Sequence, residues 1–245
     1  MLPLLQCCPN GSRPAEAHPA VPITPWQLAT AVAEVAELGV TSVHLHPRDA
    51  VGLETLAGPE LATVVATVRA AAPGVEIGVS TGAWITPDPV RRTELVEGWS
   101  GLAAGRPDVA SVNVHEPGWL PVCAALHRAG VGIELGVFTT KAAALLRVEG
   151  VPAGTVRVLA EVQETNPDRA QAAATDLLAA LDFLPPDLPI LLHGEEGGAW
   201  PVLAEAVRLG LHRRIGLEDT LVLPDGTPAP DNAALVRAAQ TLQGA

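Results

Sequence analysis

Val43-His44-Leu45-His46-Pro47-Arg48-Asp49 reads as the end of a β-strand running out into a loop: an apolar run, two histidines one residue apart, then a proline. Successive side chains on a strand point to opposite faces, so His44 and His46 share a face and can grip one metal ion from it. The flanking segments have a different period. Leu28, Val32, Val35 and Gly39 on one side, and Leu61, Val64, Val65 and Val68 on the other, recur at helical spacing. A strand set between two amphipathic helices is the unit of a parallel α/β fold.

Working outward, the same alternation fills the chain. Short β-rich runs bounded by Gly, Pro or polar residues occur at Leu2 to Pro9, Thr41 to Pro47, Val75 to Thr81, Val109 to Val114, Gly132 to Phe138, Val156 to Val162, Pro189 to Gly194 and Arg214 to Asp219. Helical faces follow later too, in Ala174, Leu177, Leu178 and Leu181, and in Leu235, Val236, Ala239 and Leu242. Thr24-Pro25-Trp26-Gln27 offers a capping hydroxyl, a proline at the first helical position and a Gln at the third; Asn166-Pro167 and Thr86-Pro87 are similar openings. Eight strand-helix alternations in 245 residues predict a (β/α)8 TIM barrel, with residues 1–245 as a single domain. A doubly wound open sheet would carry a glycine-rich phosphate turn after an early strand, and neither that pattern nor a P-loop is present. The Pro- and polar-rich stretch from Pro9 to Val21 is then an elaborated first βα loop, of a length that is often functional.

Composition narrows the function. The chain is 48% hydrophobic but has no uninterrupted apolar stretch of spanning length, which argues against a membrane protein. Its N-terminal apolar run reads as a first strand rather than a signal peptide, so a cytoplasmic address is the expectation. A net charge of −12 argues against nucleic acid or an anionic membrane as partner. Cys7, Cys8 and Cys123 have neither zinc-knuckle nor redox-pair spacing and read as small buried thiols. Arg13, Arg48 and Arg214 each fall beside a strand end, where they can make a locally basic pocket.

Active sites of such barrels lie at the C-terminal ends of the strands. His44 and His46 meet that condition, and a third ligand should come from another strand end. The last strand finishes Arg214-Ile215-Gly216-Leu217-Glu218-Asp219, with two adjacent carboxylates of which one should face the metal. Zinc held by two histidines and a carboxylate, with an open position, is a Lewis-acid arrangement. His193, ending the seventh strand, is a further ligand or a donor to one. A zinc hydrolase of the amidohydrolase kind also uses His-x-His, but there the pair follows the first strand.

The strand ends, taken in order, resemble the β-keto acid cleavage enzyme family, which includes the 3-keto-5-aminohexanoate cleavage enzyme. The residues that carry the resemblance are Asn10-Gly11-Ser12-Arg13 with His18-Pro19-Ala20-Val21-Pro22, His44-Leu45-His46-Pro47-Arg48-Asp49, Ser80-Thr81-Gly82 and Ser111-Val112-Asn113. Gly132-Ile133-Glu134, Leu192-His193-Gly194, Gly216-Leu217-Glu218-Asp219, Leu223-Pro224-Asp225-Gly226 and Asp231-Asn232 continue it. The resemblance implies a homo-oligomeric TIM barrel, a tetramer, with Zn2+ on His44, His46 and Glu218. It implies condensation of a β-keto acid with acetyl-CoA and cleavage of the adduct to acetoacetate and a new acyl-CoA. Asp219 and Arg214 match the pair that handles proton removal, and Ser80, Thr81, Gly82, Asn113 and Glu134 match substrate-site positions. Ser80 is then expected to hold the substrate carboxylate, Arg48 an anion at the mouth, and Asp219 to act as base with a pKa tuned toward the working range. Arg13 stands near where the aminohexanoate enzyme has an acidic residue, and an arginine suits an anionic or uncharged tail.

Overall fold

The structure is a computed structural model and describes residues 3–242. In chain order its main elements are β1 (Leu5–Cys7), α1 (Pro25–Glu37), β2 (Ser42–Leu45), α2 (Gly58–Ala71), β3 (Glu76–Ser80), α3 (Pro89–Glu97), β4 (Val109–Asn113) and α4 (Trp119–Ala129). They continue with β5 (Gly132–Val137), α5 (Thr140–Glu149), β6 (Thr155–Val162), α6 (Pro167–Ala180), β7 (Ile190–Gly194), α7 (Ala199–Leu209), β8 (His212–Ile215) and α8 (Asn232–Thr241). All eight strands are parallel and pair in sequence order, and β8 pairs with β1 to close the barrel. The fold is the expected (β/α)8 TIM barrel. Leu2, where the first strand was expected to start, lies outside the described residues.

Helix placement follows local chemistry. Thr24 and Gln27 form a complete capping box at the start of α1, whose buried face is Leu28, Ala29, Val32 and Val35. Gly39 does not belong to that face: it is exposed, beyond the helix end, at φ +87°, where a residue without Cβ turns the chain toward β2. Asn166 caps α6 as its sequence indicates. Thr86-Pro87 does not open α3; Asp88-Pro89 does, because the Asp88 carboxylate accepts from the amides of Val90 and Arg91. Among the described residues no helix is long and apolar enough to cross a membrane.

Two strand ends differ from expectation in ways that matter for the site. β2 ends at Leu45, so His46 begins the loop. β8 ends at Ile215, so Glu218 and Asp219 sit in a turn rather than on the strand. Gly216 makes that turn possible, since a Cβ there would lie 2.0 Å from the Cys8 carbonyl oxygen.

The strands alternate strictly between two environments. Val43, Leu45, Ile77, Val79, Val112, Leu135 and Ile215 pack beneath the helices in the apolar core. The inward positions are unusually polar for a barrel, whose interior is commonly aliphatic. Gln6 donates to Ser42 (3.2 Å) and to Glu134 (3.0 Å), Ser42 donates to Glu76 (2.7 Å), and Arg157 pairs with both Glu134 and Glu76. Both carboxylates of this interior network therefore have the Arg157 guanidinium beside them.

Candidate metal centre and cavity

His44 and His46 bring their Nε2 atoms to 3.2 Å, and Glu218 places Oε1 3.4 Å from Nε2 of His46. One ligand atom from each of the three lies within 4.8 Å of the others. Without a cation the set closes only when His46 is protonated and its Nε2–H points toward His44 and Glu218. Oε2 of Glu218 is moreover buried without a partner. A divalent cation among the three would satisfy the converging lone pairs, so the donor set fits a metal with two nitrogen ligands, one oxygen ligand and an open side.

Carboxylates stand behind both rings. Glu54 Oε1 is 2.5 Å from His46 Nδ1, and Glu134 Oε2 is 3.9 Å from His44 Nδ1. The Glu54 contact fixes which His46 nitrogen is presented to a metal, whereas Glu134 stands beyond hydrogen-bond reach of His44. Trp84 lies over His46, with ring centroids 6.2 Å apart, and donates its indole N–H to Glu54 at 3.1 Å. Gly11, at φ +54°, passes so close to Glu218 that a Cβ would fall 2.3 Å from its Cγ. Burial lowers the pKa of His44 to about 4, helped by Arg214 and His46, so its ring is neutral with a lone pair to give. Burial also disfavours charge on His46, but Glu218 and Glu54 outweigh it and raise that pKa to about 9. Glu218 is held well below the carboxylate range: burial opposes this, and Arg214 and His46 overcome it.

Next to this group, Arg214 donates from Nη2 to Glu218 (2.8 Å) and to Asp219 (2.9 Å). Cys8 lies with Sγ 2.8 Å from Asp219 Oδ2. His193 lies between Asp219 Oδ1 (3.6 Å) and Glu161 Oε2 (3.5 Å), and neither of its ring nitrogens has a hydrogen-bond partner. This corrects one expectation. The pKa of Asp219 is not tuned upward; burial pushes it up, but Arg214 and His193 more than offset that and lower it. All three cysteines are free and buried, as their sequence context indicates.

A cavity of about 510 Å³ opens over the three converging ligands at the C-terminal strand ends. Of the site residues expected from sequence, His44, His46, Glu218, Arg214, Ser80, Asn113 and Arg13 line it. Arg13 reaches Glu196 (2.6 Å) across its rim. Thr81, Gly82, Glu134, Arg48 and Asp219 do not line the cavity. Thr81 donates to the Ser111 carbonyl (2.6 Å), the Gly82 amide donates to Ser80 Oγ (3.2 Å), and Glu134 is fully buried beneath His44. Arg48 is spent on the carbonyls of Gly52, Gly11 and Arg13, so it ties loops together rather than offering its charge at the mouth.

The sequence reading missed Glu54, Trp84, Glu161, Glu195 and Glu116. Burial and the nearby Glu161 charge raise the pKa of Glu195 at the cavity wall. Glu116 takes hydrogen bonds from Asn113 (2.9 Å) and the Ala83 amide (3.0 Å) and pairs with buried Arg92 (3.1 Å), anchoring the loop after β3. The one local signal for Glu54 is the sharp Asp49-to-Gly52 turn that folds it back beside Arg48.

Comparison with known proteins gives the family and the barrel. A family model described as beta-keto acid cleavage enzyme matches residues 4–244. A 3-oxoadipate:acetyl-CoA acetyltransferase of Cupriavidus necator is 28% identical over 249 residues, covering 93% of this chain and 83% of that protein. The solved apo structure of ObcA superposes with a TM-score of 0.67 at 20% identity, over 93% of this chain but only 63% of the ObcA chain. A type I 3-dehydroquinate dehydratase of Clostridium difficile gives a TM-score of 0.65 at 10% identity, over 99% of this chain and 93% of that one. At these identities the two structures attest the barrel alone.

Proposed function

Because the chain belongs to the beta-keto acid cleavage enzyme family, we propose that it joins a β-keto acid to acetyl-CoA and cleaves the adduct to acetoacetate and a new acyl-CoA, with Zn2+ on His44, His46 and Glu218. The observation that carries this reading is the convergence of those three ligands, with an orphaned Glu218 oxygen, on the floor of a cavity. When bound there, the cation supplies positive charge that polarises a ketone and stabilises the enolate left by α-proton removal.

The chain's own residues supply the rest. Ser80 and Asn113, both buried and facing the cavity, are placed to orient the substrate carboxylate and keto group. Asp219, which stands behind Arg214 rather than on the cavity wall, is the proton acceptor in this reading once substrate draws Arg214 off it. Its basicity is suppressed while Arg214 grips it, so we assign Arg214 a second task. It faces the cavity, where a substrate carboxylate can share the guanidinium and return basicity to Asp219. Arg13 is held at the rim by Glu196, itself half-exposed, in an ion pair weak enough to exchange for a ligand anion. This favours a keto acid bearing a second carboxylate, in keeping with the 3-oxoadipate named for the Cupriavidus relative.

The test is acetoacetate release from a panel of β-keto acids, dicarboxylic members included, with and without acetyl-CoA and Zn2+. Product that requires all three components is the expected result. Turnover without CoA would move the assignment to a zinc hydrolase, and metal-replete enzyme that forms no acyl-CoA with any keto acid would refute the proposal.

A further inference from the structure

A second cavity, of about 640 Å³, opens at the other end of the barrel and shares no lining residue with the one above the histidines. Thr41, Glu76, Arg157, His212, Arg213 and Gln240 are among its walls. Most of the charge here is accounted for, since Arg157 pairs with Glu76 and Glu134 and Ser42 donates to Glu76. Arg213 is the exception. Its side chain is only 2% exposed, yet among the described residues it makes no ion pair and donates no side-chain hydrogen bond. Nδ1 of His212, the adjoining residue of β8, is also buried without a partner.

Arg213 Nε is buried without an acceptor, and natural proteins rarely leave a buried donor so. Burial lowers the Arg213 pKa with no carboxylate acting to restore it. We propose that this lower cavity binds a small oxyanion, phosphate or carboxylate, on the Arg213 fork, with Gln240 and the Thr41 hydroxyl around it. The planar fork of arginine matches two oxygens of such an anion, and Glu76 does not repel it strongly because its own oxygens are engaged by Arg157 and Ser42. The face opposite the catalytic mouth of a barrel serves stability. An anion held there ties β8 to the ends of the neighbouring helices and stabilises the folded chain by mass action.

The experiment is thermal unfolding of the whole protein in inorganic phosphate, in acetate, and in chloride at matched ionic strength, with titration calorimetry of phosphate alongside. A saturating rise in Tm of roughly 5 °C is expected at an anion concentration a hundredfold above its Kd. Chloride should give no saturating rise, and whichever of the other two anions acts at lower concentration identifies the class. Arg213→Met should abolish the rise, and Arg213→Lys, which keeps the charge and loses the fork, should weaken binding at least tenfold. His46→Ala should keep the rise in full. The proposal fails if wild-type protein shows no saturable phosphate or acetate effect, if Arg213→Lys binds as tightly as wild type, or if the effect disappears in His46→Ala instead.

Discussion

At the lower end of the barrel interior Arg157 is shared between Glu134 and Glu76, Ser42 donates to Glu76, and Gln6 donates to Glu134, so both carboxylates have a cation beside them. At the upper end His44, His46, Glu218 and His193 crowd together, with buried nitrogens and an oxygen left without partners. The lower layer draws on β1, β2, β3, β5 and β6, and the upper group on β2, β7 and the loops after β2 and β8. What separates them is charge pairing: a layer whose buried carboxylates are held by an arginine ties the barrel together, and a group of histidines converging on a carboxylate is open to a cation. Glu134 joins the two, bound below by Arg157 and facing Nδ1 of His44 above.

The sharpest way to break this comparison is to delete one residue from each end and ask which property falls. His46→Ala should remove the metal and slow acetoacetate formation about a thousandfold, the equivalent of roughly 4 kcal/mol of barrier. Its urea midpoint, measured on metal-free protein against metal-free wild type, should hardly move. Full zinc occupancy in the variant by elemental analysis would contradict the ligand assignment. Arg157→Met should behave the opposite way. It strands the fully buried Glu134 carboxylate, and breaking a buried pair from one side costs about 3–5 kcal/mol. Urea denaturation is the measurement, and unchanged stability would show that the lower layer is not the structural network described here.

A milder change sharpens the boundary between the ends. Glu54→Gln keeps the shape beside His46 but removes the charge that orients its ring. Zinc affinity should fall about 10- to 100-fold, as is usual for such partners, with little loss of stability. A competition titration with a chelator reads it. Equal affinity would mean that Trp84 packing alone sets the His46 ring.

The sequence was most legible where chemistry is local. The strand-helix alternation, the α1 capping box and the His44-x-His46 pair depend on neighbours within a few residues, and each stands in the structure much as it reads. Legibility failed where the chain turns back on itself. Glu218 and Asp219 read as strand because nothing local says that Gly216 must pass against the Cys8 carbonyl and force a turn. Arg48 reads as a free cation at the mouth, but the loop carbonyls that consume it come from Gly11 and Arg13, far away in sequence. Glu54, Glu161 and Glu195 reach the site from three different loops or strand ends, and no spacing rule connects them.

The smallest effect tests a region that belongs to neither end. Thr24 accepts the Gln27 amide at 3.3 Å, and Gln27 Oε1 accepts the Thr24 amide at 2.9 Å, so the start of α1 satisfies two amides that would otherwise be exposed helix-end donors. Thr24→Ala deletes one half of this exchange and leaves the other. It should cost about 1 kcal/mol, a fall in Tm of roughly 2–4 °C for a chain of this size. Metal content and turnover should be unchanged, because the buried face of α1 contacts the outer core and no residue of the helix lines the upper cavity. A loss of turnover in this variant would mean that the loop entering α1 transmits helix fraying to Arg13 and Gly11, and the separation drawn between scaffold and mouth would then have to be redrawn to include it.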